Sequence, residues 1–409
     1  MINNTTRADA PRRELWLLLT LAGIQFTHIL DFMIMMPLGP QFTELFNITG
    51  AQFGLLVSAY TLAAGASGLV ASAYVDRFGR KRLLLVLYSL FALATLACGL
   101  APTYGSLMAA RIAAGIFGGV LSALSQTIVG DVIPFERRGR AMGIVMTAFS
   151  VASVAGVPAG LFLAAHFGWH APFFAIAALS ALFAVFAAVT LPALTDHLKA
   201  SQSSSAVGRI SSVLADTNHL KAFTFSALLM FAGFTTVPYL AMNLQFSVGL
   251  RADQLPYVYL FGGVATIVTA RLFGKLSDSW GKVATLRLLA IGSIPVMFAV
   301  TLLPAGAALW IVFATTTLLM IVMSGRMIPG MAIATSAAHP ALRGTFMSLN
   351  SAVQSAGMGV AAFVGGSLIS RNSQGQLQNY WTTALVGSIA TLIAIWLVGR
   401  LDLRNAAQK

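Results

Sequence analysis

Charge is what this chain has least of. Asp, Glu, Lys and Arg make up 9% of its 409 residues, only 12 of them acidic, against 57% hydrophobic residues and a mean hydropathy of +0.82. A soluble domain carries about a quarter of its residues charged, so a water-exposed globule is excluded and a chain folded in a bilayer is indicated. A single cysteine, Cys98, lies in an apolar stretch. That excludes an internal disulfide and a cysteine metal cluster, and leaves Cys98 as a small core residue. No glycine-rich loop followed by Lys and Ser or Thr, no paired-His metal motif and no sizeable soluble segment occurs. ATP-driven pumping and an enzyme activity therefore have no signature here, and neither cofactor nor metal is expected. The first 14 residues are polar and the apolar run behind them is long enough to stay in the membrane, so no cleaved leader is expected.

What is present is apolar sequence in runs of roughly 18 to 27 residues, each enough as a helix to cross about 30 Å of hydrocarbon. Twelve such runs predict twelve transmembrane helices: near 15–38, 52–75, 83–101, 105–130, 140–165 and 171–191, then 220–247, 254–276, 284–303, 307–333, 344–370 and 380–400. The fold class is thus an all-α membrane protein. The net charge of +13 comes from basic residues scattered through short loops, which argues against a nucleic-acid surface. With both termini cytoplasmic, 20 of the 25 Lys and Arg fall on the cytoplasmic side, and the outer loops hold only Arg251 and Arg371. This is the bias that sets membrane orientation.

The longest polar break, 192–219, contains Ser201-Gln202-Ser203-Ser204-Ser205 and reads as a flexible cytoplasmic linker. It divides the chain into a tail (1–14), a first six-helix half (15–191), a second half (220–401) and a short tail (402–409). The halves repeat. Asp76-Arg77-Phe78-Gly79-Arg80-Lys81 returns as Asp278-Ser279-Trp280-Gly281-Lys282 about 202 positions later, and Arg138-Gly139-Arg140-Ala141-Met142 returns as Arg343-Gly344-Thr345-Phe346-Met347 at a spacing near 205. Duplicated charged turns between membrane spans point to a carrier whose two halves rock about a central site, each with its own latch. The alternative reading of the basic residues is that they only enforce topology, which suffices for Arg82.

At these residues the chain resembles the major facilitator superfamily, and is most similar to its bacterial twelve-helix drug/proton antiporter branch. The superfamily pattern between helices 2 and 3 is Gly-x-x-x-Asp-Arg-x-Gly-Arg-Arg/Lys. Ser72 stands for its opening Gly, while Asp76, Arg77, Gly79, Arg80 and Lys81 match. The second copy keeps Gly274, Asp278, Gly281 and Lys282 with Ser279 in place of Arg. The resemblance implies two pseudo-symmetric halves, a cytoplasmic gate built from these residues, and Asp131 at the end of helix 4 as the acid that pairs with it. It also implies a helix 5 motif. Here that motif reads Gly156-Val157-Pro158-Ala159-Gly160, a rearrangement of the branch's Gly-Pro pair and paired glycines.

Helix 4 carries Arg111 followed by Gly115, Gly118, Ser122 and Gln126 on one narrow face. An Arg followed by small residues in helix 4 is associated, by resemblance, with proton coupling. A guanidinium facing lipid is costly, so a cavity or an acid should face it. Eleven of the acidic residues fall in tails, loops, the linker or at helix ends, which leaves Asp31. Asp31 sits about 10 Å below the outer end of helix 1, and Arg111 lies at similar depth on helix 4. The implied fold brings both helices to the central cavity. An adjacent cation favours the charged carboxylate and desolvation without it favours the protonated acid, so an Asp31–Arg111 pair is a candidate proton switch. His28, one turn from Asp31, is a proton relay, the proton carrier in place of Asp31, or a hydrogen-bonded wall residue.

Candidate cavity residues follow from polar stripes: Gln25, His28, Asp31 and Met35 on helix 1, Gln126 on helix 4, Thr236, Tyr239 and Asn243 on helix 7, Arg326 on helix 10, Asn350 and Gln354 on helix 11. Interhelical hydrogen bonding is the competing reading of the amides. Arg326 has no acid at its depth in its own half, so an anionic substrate or a cluster of carbonyls must satisfy it. The 27 Phe and 16 Met suit a soft drug pocket or, equally, lipid contact. The expectation is a proton-driven efflux carrier for small apolar or amphipathic molecules, working as a monomer in a bacterial inner membrane. Proton-coupled uptake of a small polar or anionic solute and a non-transporting sensor of the same fold are the alternatives.

Overall fold

The computed structural model describes residues 10–192 and 206–403. Its long helices are α1 (Ala10–Ile34), α2 (Gly50–Tyr74), α3 (Arg80–Gly99), α4 (Tyr104–Val132), α5 (Phe135–Val151, continued by Val157–Phe167), α6 (His170–Thr190), α7 (Thr217–Phe234), α8 (Leu255–Ser279), α9 (Lys282–Thr301), α10 (Leu309–Ala337), α11 (Arg343–Leu368) and α12 (Tyr380–Val398). Among the described residues, eleven helical stretches are long and apolar enough to cross a membrane. The twelfth helix, α11, has 26 residues, but its Asn, Gln, Ser and Gly lower its hydropathy. Between the long helices lie short helices at Gly39–Leu45 and Ala206–Ala215, 3-10 turns at Val75–Arg77 and Pro340–Leu342, and a hairpin of β1 (Ser370–Arg371) and β2 (Leu377–Gln378). Part of the expected linker is therefore helical and α7 starts at Thr217, while residues 193–205 lie outside the described residues.

Local chemistry sets the boundaries. Thr49 and Gln52 form a reciprocal capping box at the start of α2, and Thr103 and Ser106 do the same for α4. Gly281 adopts φ +93° between α8 and α9, a conformation a side chain would resist, and so fixes the turn of the second repeat. Pro158 supplies no N–H to the preceding turn, and α5 widens into a π-helical turn at Ala152–Gly156. Pro238 interrupts α7 in the same way: a 3-10 turn at Val237–Tyr239, a short helix Leu240–Asn243 and a π turn to Val248 carry it onward.

Odd-numbered helices run away from the face where α1 begins, and α12 returns to it; this is the terminal face, and the opposite one the far face. Helix contacts repeat with a step of six. In the first half α1 meets α5 and α6, α2 meets α4, and α3 meets α4 and α6; in the second α7 meets α11 and α12, α8 meets α10, and α9 meets α10 and α12. The contacts between halves obey the same step, α2 with α11 and α5 with α8. The outside is apolar: Val189, on α6, is 80% exposed, as are much of Val185, Leu93, Val268 and Trp310. Such a surface suits acyl chains and would drive association in water.

Small residues let the halves touch near the far face. A side chain at Gly54 would come within 2.5 Å of the Ala362 carbonyl, and one at Gly50 within 3.0 Å of the Gly366 carbonyl. Ser58 Oγ donates across this contact to the Gly359 carbonyl at 2.6 Å, and within the second half the Tyr239 hydroxyl donates to the Ala362 carbonyl beside it. Outside the spans, Arg371 Nη2 donates to Thr43 Oγ1 at 3.0 Å while its guanidinium lies 3.9 Å from the centre of the Phe246 ring. Toward the terminal face α2 and α4 diverge from α11. A cavity of about 680 Å³ opens there, running from His28 and Phe32 out to Val75, Thr127 and Gly344.

Candidate functional site

Asp31 and Arg111 meet. Arg111 Nη1 donates to Asp31 Oδ2 at 2.8 Å and to the Asp31 carbonyl at 3.3 Å, with both side chains fully buried. The sequence places them 80 positions apart on different helices, and their matched depth brings them into contact. α3 closes the pocket from behind, with Thr95 beside the Asp31 carboxylate and Cys98 beside Arg111. Tyr60 on α2 covers the front, its ring centre 4.4 Å from Arg111 Cζ. Cation over aromatic face is favourable and strongest when desolvated. Tyr60 also lines the cavity, and the ion pair does not. The phenol ring is thus the partition between the open cavity and the buried charges, a role its apolar sequence surroundings did not signal.

The small residues of the α4 stripe make this arrangement possible. A side chain at Gly118 would come within 2.6 Å of His28 Cδ2 and 2.7 Å of the Tyr60 hydroxyl, and one at Gly115 would collide with the Tyr60 backbone. Gly119 faces the Ala64 backbone and serves helix packing. His28 lines the cavity between Tyr60 and Phe91, with ring centres 6.1 and 6.0 Å away. Neither ring nitrogen has a hydrogen-bond partner in the protein. His28 thus stands in the cavity wall with its ring nitrogens unbonded by the protein.

The other stripe residues divide. Gln126, Asn350 and Gln354 line the cavity. Gln25 is buried between α1 and α4, where Nε2 donates to Ser122 Oγ at 3.4 Å, and Met35 is fully buried in the apolar core. Thr236 contacts Thr383 at 3.2 Å, Tyr239 joins the far-face closure, and Asn243 Nδ2 donates to the Val300 carbonyl at 3.4 Å. Five expected cavity residues therefore lie outside the cavity of this conformation: Thr236, Tyr239 and Asn243 pack toward the closed far face, Met35 lies in the apolar core and Gln25 between α1 and α4. Arg326 also lies outside it. Nη2 donates to the Leu229 carbonyl at 3.2 Å and Nη1 to Thr391 Oγ1 at 3.4 Å, so neutral acceptors meet it rather than an acid.

At the terminal face the repeated turns show the same step as the helices. Arg80, which is buried, donates Nε to Asp131 Oδ2 at 3.1 Å and Nη1 to the Val75 carbonyl at 3.1 Å. In the second half Lys282 Nζ donates to Ser336 Oγ at 3.3 Å. Asp131 and Ser336 occupy corresponding ends of α4 and α10. Gly79 caps α3, and Arg77, Asp278 and Gly281 are solvent-facing or partly so, with open space around Gly274. The side chain of Asp76 lies outside the described residues. In α5, side chains at Gly156 and Gly160 would reach within 2.9 Å of Leu30 and 2.7 Å of Ile34, so these glycines admit α1. The π turn that Pro158 follows packs on Gly263 of α8. The motif therefore sits at a contact between halves.

The family model of the Major Facilitator Superfamily matches residues 21–325. Similar chains include the uncharacterized MFS-type transporter YtbD of Bacillus subtilis, 25% identical over 93% of this chain and 94% of that one. Multidrug resistance protein 2 of Bacillus subtilis is 28% identical over 65% of this chain and 68% of its own. Among solved structures, a bacterial homolog of the human lysosomal transporter Spinster, inward-facing and occupied, superposes with a TM-score of 0.75 at 17% identity, covering 95% of this chain and 97% of that one. A D-xylose-proton symporter gives 0.73 at 17% identity, covering 93% and 96%.

Proposed function

Because the chain belongs to the Major Facilitator Superfamily, an integral membrane transporter family, we propose that it is a proton-coupled carrier that exports small apolar or amphipathic molecules by alternating access. The buried Asp31–Arg111 pair carries this reading. Two charges removed from water persist only when paired, and a proton on Asp31 would end the pairing and release Arg111. The energy of that exchange is available to tilt one half against the other. Tyr60 gives the exchange a route to the cavity, since it touches Arg111 on one side and the cavity on the other.

In the proposed cycle the terminal face is cytoplasmic and the present state takes up cargo from that side. Opening outward separates α2 from α11 and Arg371 from Thr43, and brings the two turns, with Asp76, Arg77, Gly79, Arg80 and Asp131 on one side and Gly274, Asp278, Gly281 and Lys282 on the other, toward each other. The carrier is a monomer with no cofactor and sits in a bacterial inner membrane. The name of the multidrug relative favours export. Inverted membrane vesicles holding an inside-acid gradient test the direction: antiport predicts that an added amphipathic substrate dissipates the gradient. No dissipation by any substrate that the vesicles transport identifies a symporter, and no transport at all identifies a sensor.

A further inference from the structure

The walls of the cavity contain no Asp, Glu, Lys or Arg among the described residues. At its inner end lie polar atoms that the protein leaves unused. The Tyr60 hydroxyl, the Asn350 Oδ1 and both ring nitrogens of His28 are buried and have no hydrogen-bond partner in the protein. Tyr60 is 3% exposed and Asn350 2%. Buried polar atoms cost stability unless something bonds them, so a cluster of them on residues that line one cavity is the complement of a ligand. The cluster spans the two halves: His28 and Tyr60 come from α1 and α2, Asn350 from α11. Phe32, stacked on Tyr60 at 5.5 Å between ring centres and on Phe234 at 6.0 Å, gives an apolar floor beside them.

We propose that His28, Tyr60 and Asn350 form a recognition subsite for an uncharged molecule that joins an aromatic or aliphatic body to an amide or hydroxyl group. The charge-free wall decides the ligand's charge. A cation or a carboxylate entering here would lose water without meeting a counterion, a desolvation cost that the cavity does not offset. An amide both donates and accepts, and so matches a phenol hydroxyl, an imidazole and a carboxamide oxygen. Asn350 draws such a ligand to the second half while Tyr60 and His28 hold it to the first. The proposal narrows the cargo of the carrier described above and rests on that reading for its biological use, but binding itself requires no transport.

Equilibrium binding to the purified full-length protein tests it with four naphthalene probes: unsubstituted, and bearing a carboxamide, a carboxylate or a trimethylammonium group. The carboxamide should bind at least about tenfold more tightly than each of the others, a difference of about 1.4 kcal/mol. Tyr60→Phe keeps the ring over Arg111 and removes only the hydroxyl; Asn350→Ala acts on the opposite half. Each should weaken carboxamide binding about fivefold or more and leave unsubstituted naphthalene unchanged, with thermal unfolding confirming a folded protein. Preference for either charged probe, equal binding of all four, no binding of the carboxamide, or carboxamide affinity untouched in both variants would overturn the proposal. Failure of the vesicle exchange test with this preference intact would instead reject antiport alone.

Discussion

Arg111 donates to Asp31 at 2.8 Å with neither side chain exposed, and the same guanidinium lies 4.4 Å from the ring centre of Tyr60. One cation is thereby held between an acid that a proton can neutralise and an aromatic ring that faces the cavity. Removing either member of such a pair strands the other in a medium that cannot solvate it. Asp31→Asn or Arg111→Gln alone should cost about 3–5 kcal/mol of stability. The double substitution should recover part of that loss, because both charges are then gone. Thermal or denaturant unfolding of the four proteins in detergent checks this; additive losses would show that the two residues do not act as a pair.

The closeness of α2 and α11 at Gly54 leaves no room for a side chain. Gly54→Leu should therefore drive the halves apart at the far face and close the cavity at the terminal face. Ser351 lines that cavity, and the only native cysteine, Cys98, is buried. Labelling of Ser351→Cys by a membrane-impermeant thiol reagent should slow about tenfold or more when Gly54→Leu is added. Unchanged labelling would mean that this contact does not set the conformation.

Arg371 ties the far-face hairpin to Thr43 of the first half and to Phe246 of the second. The contact is solvent-accessible, so its contribution is modest, about 0.5–1 kcal/mol. Arg371→Ala should raise the accessibility of a cysteine placed at Thr43 roughly two- to fivefold, and Arg371→Lys should restore the hydrogen bond better than the stacking. Identical accessibility in all three proteins would remove the clasp from the account.

The two repeated turns differ in one partner: Asp131 accepts from Arg80, and Ser336 accepts from Lys282. A buried guanidinium that loses its carboxylate loses more than an ammonium that loses a hydroxyl. Asp131→Asn should destabilise by about 1–3 kcal/mol and Ser336→Ala by less than about 1 kcal/mol. Unfolding measurements that reverse this order would contradict the pairing seen here.

Much of this architecture was legible in the residues. Apolar run length gave twelve spans because a bilayer imposes one length scale, and the repeats at Asp76 and Asp278 disclosed the two halves because each half has its own turn. Asp31 and Arg111 could be paired because elimination leaves one acid within the spans, a helix has a fixed rise that sets their depths, and the fold implied by the resemblance brings helices 1 and 4 to one cavity. Position around a helix was less informative. Gln25 and His28 share a stripe, yet Gln25 bonds Ser122 between helices while His28 faces the cavity. Thr236, Tyr239 and Asn243 point into far-face packing, which depends on the conformation a carrier occupies, and one sequence specifies more than one. Tyr60 carries no sequence signal, because its ring reads as apolar while its neighbour across space, Arg111, lies 51 positions away in sequence. The α7 break at Pro238 is hidden in the sequence because it falls within an apolar run long enough to be one helix.

The most direct test of proton coupling through Asp31 is accumulation of a transported amphipathic probe in proteoliposomes under an imposed pH gradient, comparing the native protein with Asp31→Asn. The native protein should concentrate the probe against its gradient in proportion to the pH difference. Asp31→Asn, shown to be folded by its unfolding transition, should show no pH-driven accumulation. Undiminished accumulation by Asp31→Asn would place the proton elsewhere and contradict the account.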